Sequence, residues 1–191
     1  MIAGIILAAG ASSRMGTPKA LLDYRGETFL DRLIRVLGTV CDPVIVALGY
    51  HAEEIRASAH GHAQFAVNPD PSRGQLSSLQ TALAQVPAGA EGFLFLPVDC
   101  PAAKPETVRQ LVDAFHTTNS LLVIPRHEGR RGHPVCARRE LIAEFLALPP
   151  TAQAKEVVRR HPAHYLETSD AGVLSDIDDP EAYRILQETA R

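Results

Sequence analysis

The stretch Ile2-Ala3-Gly4-Ile5-Ile6-Leu7-Ala8-Ala9-Gly10-Ala11-Ser12-Ser13-Arg14-Met15-Gly16-Thr17-Pro18-Lys19 decides how this chain is read. Its first seven residues are apolar and partly β-branched, the pattern of a short buried strand. The part that follows is small and glycine-bearing. Small residues after a buried strand let backbone N–H groups approach a ligand closely. Arg14 and Lys19 stand at its far end, and cations on such a loop point to an anionic ligand. A nucleoside triphosphate site is the expectation. The two common phosphate loops do not fit. A dinucleotide fingerprint requires GxGxxG after the strand, and here Gly10 is followed next by Gly16. A P-loop requires GxxxxGK before Ser or Thr, and here Gly16 is followed by Thr17-Pro18-Lys19.

Outward from this stretch, apolar runs recur at Val44–Leu48, Phe65–Val67, Phe93–Val98, Leu121–Ile124 and Pro134–Ala137, and each reads as a strand. Segments of helical spacing lie between them. In the first, Leu30, Leu33, Ile34 and Leu37 share a face and Thr28 stands at the N-cap position. Further helices are expected over 51–59, from Gln75, from Pro105, around Leu141–Leu146, over 154–160 as an exposed helix, and after Pro180. Residues 126–132 read as a basic, glycine-containing loop. Alternating strands and helices favour parallel pairing, so the expected fold is a doubly wound α/β sheet, mostly parallel, with helices on both faces. No repeat, low-complexity tract or linker interrupts residues 1–191, and one domain is expected. In such sheets ligands bind beyond the carboxyl ends of the strands. The loops after the strands at 2–8, 65–67 and 93–98 should therefore gather, carrying Gly10 to Lys19, Arg73-Gly74-Gln75 and Asp99.

Composition narrows the functions. The 191 residues are 46% hydrophobic, enough to bury a core. A net charge of −3 supplies no global field for nucleic acid or anionic lipid, so anion binding must be local. Aromatics at 5%, with no tryptophan, argue against a stacking platform for single strands. The first apolar run is too short to span a bilayer and lacks the basic start of a signal peptide. Three cysteines with no CxxC fit a reduced, cytoplasmic setting. The histidines other than His133 show no metal-ligand spacing and read as surface residues; no GxSxG supports a serine hydrolase.

Several positions carry candidate chemistry. Asp99, at the end of a very apolar strand, is a natural Mg²⁺ ligand, since Mg²⁺ is held by one or two carboxylates together with substrate phosphates. Asp176-Ile177-Asp178-Asp179-Pro180 offers a second carboxylate, from Asp176 or Asp178, which share a face if the segment is extended. Asp179 suits the cap of the helix that follows. Gly74-Gln75-Leu76-Ser77-Ser78-Leu79 opens a helix whose free N–H groups suit an anion. Arg130-Arg131-Gly132-His133-Pro134-Val135 is a basic loop suited to a second phosphorylated substrate.

Leu7 to Lys19 resembles the LAAGxSxRMGxxK signature of the molybdenum cofactor nucleotidyltransferases, the MobA-like NTP transferases. Similarity continues, in family order, at Gly74–Leu79, at Asp99-Cys100-Pro101, at Arg131–Val135 and at Asp176–Glu181, which resembles DIDTPED. The resemblance implies a Rossmann-like three-layer fold and transfer of a nucleotidyl group from an NTP to a phosphorylated acceptor, with Mg²⁺. The Ala8-Ala9-Gly10 form is similar to the cytidylyl branch, which implies CTP, with GTP the alternative, and molybdopterin as acceptor. A molybdoenzyme is a further implied partner, and neither nucleic acid nor membrane is expected. Carried onto this sequence, the implied catalytic residues are Arg14, Lys19 and Asp99. The implied nucleotide-binding set is Leu7, Ala8, Ala9, Gly10, Ser12, Ser13, Arg14, Lys19, Gly74, Gln75, Ser77 and Ser78. Arg131, His133 and Pro134 would meet the acceptor, and Asp99, Asp176 and Asp178 the metal. Residues 151–155, Thr-Ala-Gln-Ala-Lys, depart from the Gly-Asp-x-Gly-Ala-Arg-like stretch of relatives, which leaves another phosphorylated acceptor, such as a sugar phosphate, as an alternative. A non-catalytic cofactor carrier or insertion chaperone that keeps the nucleotide fold is an alternative of a different class.

Overall fold

The computed structural model describes residues 1–189. The strands are β1 (Ile2–Ala8), β2 (Asp23–Tyr24), β3 (Glu27–Thr28), β4 (Val44–Leu48), β5 (Gln64–Val67), β6 (Gly92–Pro97), β7 (Leu122–His127), β8 (Arg130–Arg131), β9 (Val135–Arg138) and β10 (Ala163–Glu167). The helices are α1 (Phe29–Leu37), α2 (Ala52–Ser58), α3 (Gln75–Leu83), α4 (Pro105–Thr117), α5 (Ile142–Ala147), α6 (Lys155–Arg160) and α7 (Pro180–Thr189). Among the described residues no helix is long and apolar enough to cross a membrane.

The main sheet runs in the order β10-β7-β9-β6-β1-β4-β5, with β8 paired to the end of β7. β1 is an interior strand, parallel to β4 on one side and to β6 on the other. Every residue of β1 is buried, because helices cover both faces. Alternate side chains divide between two layers. Ile2, Ile6 and Ala8 join a core with α1, α4 and Leu186 of α7; Ala3, Ile5 and Leu7 join one with α3, Phe145 of α5 and Val157 of α6. The sheet is thus the middle of a three-layer, Rossmann-like α/β fold.

The structure differs from the sequence expectation at four points. β9 is antiparallel to both β6 and β7, so the strand expected at Pro134–Ala137 interrupts an otherwise parallel order. Its reversed direction follows from a tight hairpin. The basic segment expected as a loop continues β7 to His127 and turns back through Glu128 and Gly129, both at positive φ, so that Arg126 pairs with Arg131 and His127 with Arg130. Positive φ at both central residues is the geometry of a two-residue hairpin turn. β10 was not anticipated at all: Ala-His-Tyr-Leu-Glu is a half-exposed edge strand with no apolar run. The helix over 154–160 also proves anchored, since Val157 is fully buried.

Local signals act as expected elsewhere. Thr28 Oγ1 accepts from Asp31 N at 3.0 Å and caps α1. Pro105 opens α4, where its missing N–H costs nothing. Asp179 Oδ1 accepts from Ala182 N at 2.9 Å and caps α7. Two histidines read as surface residues are tied down: His127 Nδ1 bonds Thr168 O at 2.8 Å, and His161 Nε2 pairs with Glu144 at 2.9 Å.

Candidate active site

After β1 the chain goes out through α1 to β4 and β5, then returns across α3 to β6 on the other flank of β1. The loops after β1 and β6 therefore diverge, and a crevice forms at that reversal of strand order. It holds a cavity of about 290 Å³. The whole run from Leu7 to Arg14, together with Lys19, lines it. Gly74, Gln75 and Ser78 of α3 line one side; Asp99 and Asp178 close the far end. The gathering of loops read from the sequence is thus what the topology produces.

The loop is shaped by its own hydrogen bonds. Ser12 adopts φ 51°, and its carbonyl accepts from Met15 N at 2.9 Å while its Oγ accepts from Lys19 N at 3.0 Å. A serine in the left-handed region carries strain of about 1 kcal/mol, which those bonds offset. They also fix where the Lys19 side chain leaves the backbone.

Lys19 is the centre of the charge cluster. Its Nζ donates to Asp99 Oδ2 at 2.9 Å and to Asp178 Oδ1 at 2.7 Å. Burial works against the ammonium, but its bonds to Asp178 and Asp99 prevail and raise its pKa. The hydrogen bond from Lys19 in turn lowers the pKa of Asp178. Arg14 Nη2 stands 3.6 Å from the same Asp178 oxygen, with 67% of the side chain exposed, so it is free to turn to a ligand.

Asp176 lies on the other side of Asp99. Ile177 N donates to Asp99 O at 2.9 Å, and Ile177 is buried, which seats the acidic segment against the end of β6. Burial, then repulsion from Asp99 and Asp178, raise the pKa of Asp176. Asp99, Cys100 and Asp176 each offer a ligand atom, all within 4.8 Å of one another. The two carboxylates fit a small divalent cation; burial pushes the Cys100 thiol up, away from the thiolate form that binds metals. Oxygen donors suit Mg²⁺ and Mn²⁺.

Some residues singled out in the sequence fall outside the cavity. Ser77 turns inward: its Oγ donates to Gly74 O at 2.8 Å and accepts from Asn68 Nδ2 at 2.8 Å. Its neighbour Ser78 accepts from the same amide at 3.0 Å but lines the cavity. Arg131, His133 and Pro134 line neither this cavity nor a second one of about 460 Å³. His133 is largely buried, and among the described residues its Nδ1 has no partner. Burial lowers its pKa, against an opposing pull from Asp99.

Other contributors were not read from the sequence. Tyr50, Ile55 and Pro71 line the cavity. A signal existed for Tyr50, since β4 ends at the same sheet edge as β1, and Tyr50 N donates to Ala9 O at 3.3 Å. Gly49 is required by close approach: a Cβ there would stand 2.7 Å from Pro71 Cβ and 2.8 Å from both Ala9 Cβ and Ala9 O. Gly74, at φ 86°, turns the chain into α3, whose first turn has no side-chain cap and so leaves its N–H groups to a ligand or solvent. The second cavity shares Gly74 and Gln75 with the first and is walled by residues 150–155.

Known proteins of similar sequence share this fold. The MobA-like NTP transferase domain family matches residues 4–165. The molybdenum cofactor cytidylyltransferase of Escherichia coli K12 is 27% identical, over 96% of this chain and 94% of its own. Nicotine blue oxidoreductase of Paenarthrobacter nicotinovorans is 32% identical, over 97% and 96%. Rv0371c of Mycobacterium tuberculosis H37Rv superposes with a TM-score of 0.85 at 34% identity, covering 98% of this chain and 97% of the other. Its complex with manganese superposes at 0.81 and 31%, covering 98% of each.

Proposed function

The chain belongs to the MobA-like NTP transferase domain family, and on that premise we propose that it transfers CMP from CTP to the phosphate of molybdopterin or the molybdenum cofactor. The observation that carries this reading is Lys19, held between Asp99 and Asp178 at the end of a cavity whose other wall is the Leu7–Arg14 loop. Such an arrangement receives a triphosphate along the loop and brings its phosphates to the charge cluster.

An oxygen of the acceptor phosphate attacks the α-phosphorus, a new P–O bond forms, and the α–β bridge breaks to release pyrophosphate. Catalysis is positioning and charge stabilisation, with no side-chain nucleophile. Lys19 stands beside the α-phosphate, where charge builds, and Arg14 swings to the leaving pyrophosphate. Asp99, with Asp176 or Asp178, would hold the divalent cation, Mg²⁺ or Mn²⁺, whose chemistry is to neutralise phosphate charge. The manganese complex of Rv0371c supports a divalent cation in this fold.

The base lies against Ala8, Ala9 and Gly10, with Tyr50 at the rim and the Ser78 hydroxyl facing it. Support for cytosine comes from the Ala8-Ala9-Gly10 form, which is similar to the cytidylyl branch, and from the likeness to a molybdenum cofactor cytidylyltransferase over 96% of this chain. The acceptor enters from the α3 side, where Gly74 and Gln75 join the two cavities; of the residues that the resemblance assigns to it, His133 and Pro134 are withdrawn from the surface and Arg131 is exposed.

The test is pyrophosphate release from CTP, GTP, ATP or UTP with isolated molybdopterin and Mg²⁺ or Mn²⁺. Release with CTP is expected, and Asp99→Asn should reduce it at least about 100-fold, the loss of several kcal/mol of charge stabilisation, while the fold persists. Nucleotide binding without release for every acceptor would establish a carrier instead. Redox turnover without release would align the chain with the activity in the name of its oxidoreductase relative.

A further inference from the structure

A second basic cluster stands on the same face and edge of the sheet as the cavity. Its position follows from the register. Phe95 pairs with Val135, Val123 with Cys136, and Tyr165 with Ile124. Phe95, Val135, Ile124 and Tyr165 therefore form one row across the sheet, and all pack into the α3-side core. Two residues further up, on the same face by the strand period, are Pro97 on β6 and Arg126 on β7. Pro97 is a wall of the nucleotide cavity. Two inter-strand steps separate the strands, so Arg126 lies about 10 Å along the sheet edge from that wall.

Arg131 is the hairpin partner of Arg126 and emerges on the same face. The Arg126 guanidinium stands 4.8 Å from the centre of the Tyr165 ring and that of Arg131 stands 5.1 Å from it. Two cations are thus gathered on one aromatic ring. Glu167 pairs with Arg126; among the described residues Arg131 has no carboxylate partner. Its charge is left facing the side from which an acceptor would enter. The ring fixes both forks, and a planar guanidinium presents paired donors to an oxyanion. Arg130, next in the hairpin, points to the opposite face.

We propose that Arg126, Arg131 and Tyr165 form an anion subsite for the far end of the acceptor. The guanidinium groups lie over Tyr165 on β10, three inter-strand steps from β6, so the substrate class is an extended molecule carrying its reactive phosphate at one end and a second negatively charged group on the order of 10–15 Å away. A compact phosphate monoester lacks the second group and cannot reach the arginines while it reacts at Asp99. This inference rests on reading the cavity as the nucleotide site.

The experiment has two arms. In turnover with CTP and molybdopterin, Arg126→Ala/Arg131→Ala and Arg131→Ala alone should raise the acceptor KM, about tenfold for the double variant, with kcat and the KM for CTP changed less than about twofold. The exposed Arg131→Ala keeps the packing of Arg126 and guards against misfolding. Arg130→Ala should match wild type, and Arg126→Lys/Arg131→Lys should recover part of the loss through charge alone. An unchanged acceptor KM in the double variant overturns the proposal, as does an equal rise in the KM for CTP. The second arm needs no turnover. Inorganic phosphate is titrated into CTP-saturated protein while the side-chain Nε–H resonances of Arg126 and Arg131 are followed by NMR. Saturable shifts in wild type, absent at Arg126 in Arg131→Ala, are expected; a linear, unsaturated drift overturns the subsite. Failure of turnover with molybdopterin alongside saturable phosphate shifts sinks the transferase reading and keeps the anion site.

Discussion

Replacing Lys19 with methionine tests the charge cluster directly, because methionine keeps most of the stem and removes the ammonium. The magnitude follows from exposure. Lys19 is 14% exposed and Asp99 19%, so their 2.9 Å hydrogen bond is little screened. Bonds to charged groups contribute about 1.5–3 kcal/mol. Asp178 is 47% exposed, and its 2.7 Å bond to Lys19 is discounted to at most about 1 kcal/mol. Lys19→Met should therefore cost about 2 kcal/mol. For a chain of this size that lowers Tm by about 4–8 °C at neutral pH in chelator-containing buffer, read by scanning calorimetry. The sign of the pH dependence is fixed by two shifts. The pKa of Lys19 is raised, so its contribution is full below the ordinary lysine value of 10.5 and is lost as pH rises through the folded value. That of Asp178 is lowered, so its contribution is present above the ordinary 3.8 and is lost as pH falls through the depressed value. The gap between wild type and variant should be flat between those limits and narrow on acidification below 3.8. A variant melting within about 1 °C of wild type at neutral pH, or a gap that widens in acid, would refute this account of the cluster.

Gly49→Ala should destabilise the fold by about 1–3 kcal/mol through overpacking and weaken CTP binding, because its methyl would meet Ala9 and Pro71, both cavity walls; titration calorimetry with wild-type affinity would contradict this. Asp170 is buried and accepts from Lys104 N, Thr107 Oγ1 and Gly172 N. Asp170→Asn turns a donor against those donors and should cost about 3 kcal/mol, seen as a lowered urea midpoint with unchanged slope. Cys41, Cys100 and Cys136 are buried, and burial pushes the Cys41 thiol up to about 12. A disulfide-exchange reagent should label none of them until denaturant is added; rapid labelling of native protein would show that the core opens.

What was legible in the sequence was what burial imposes. β1, β4 and β6 carry unbroken apolar runs because helices cover both faces, and such runs are visible without a partner. The loop charges were visible for a related reason: Arg14, Lys19 and Asp99 interrupt or end apolar segments at an edge where ligands bind. Edge features were hidden. Ala163–Glu167 mixes His, Tyr and Glu because only part of β10 is covered, so no period stands out. Arg126–Arg131 looked like a loop because its hairpin is built from charged residues, and Glu128 takes a conformation more often given to Asn or Gly. Ser77 and Ser78 were indistinguishable as letters; the turn of α3 sends one to Gly74 O and the other to the cavity.

Lys19 and Asp178 touch although 159 positions separate them in the chain. Translation adds about 5–20 residues per second, so a nascent Lys19 waits roughly 8–30 s for its second carboxylate. Asp99 arrives midway, and every strand of the sheet precedes residue 176. A growing chain can therefore form its whole sheet, and the α3-side layer, with Lys19 paired to one carboxylate, before Ile177 and α7 complete the other layer. The full charge cluster forms only when the segment of Ile177 docks on Asp99 O, which makes maturation of the site a late event, separable in time from the folding of the body that carries it.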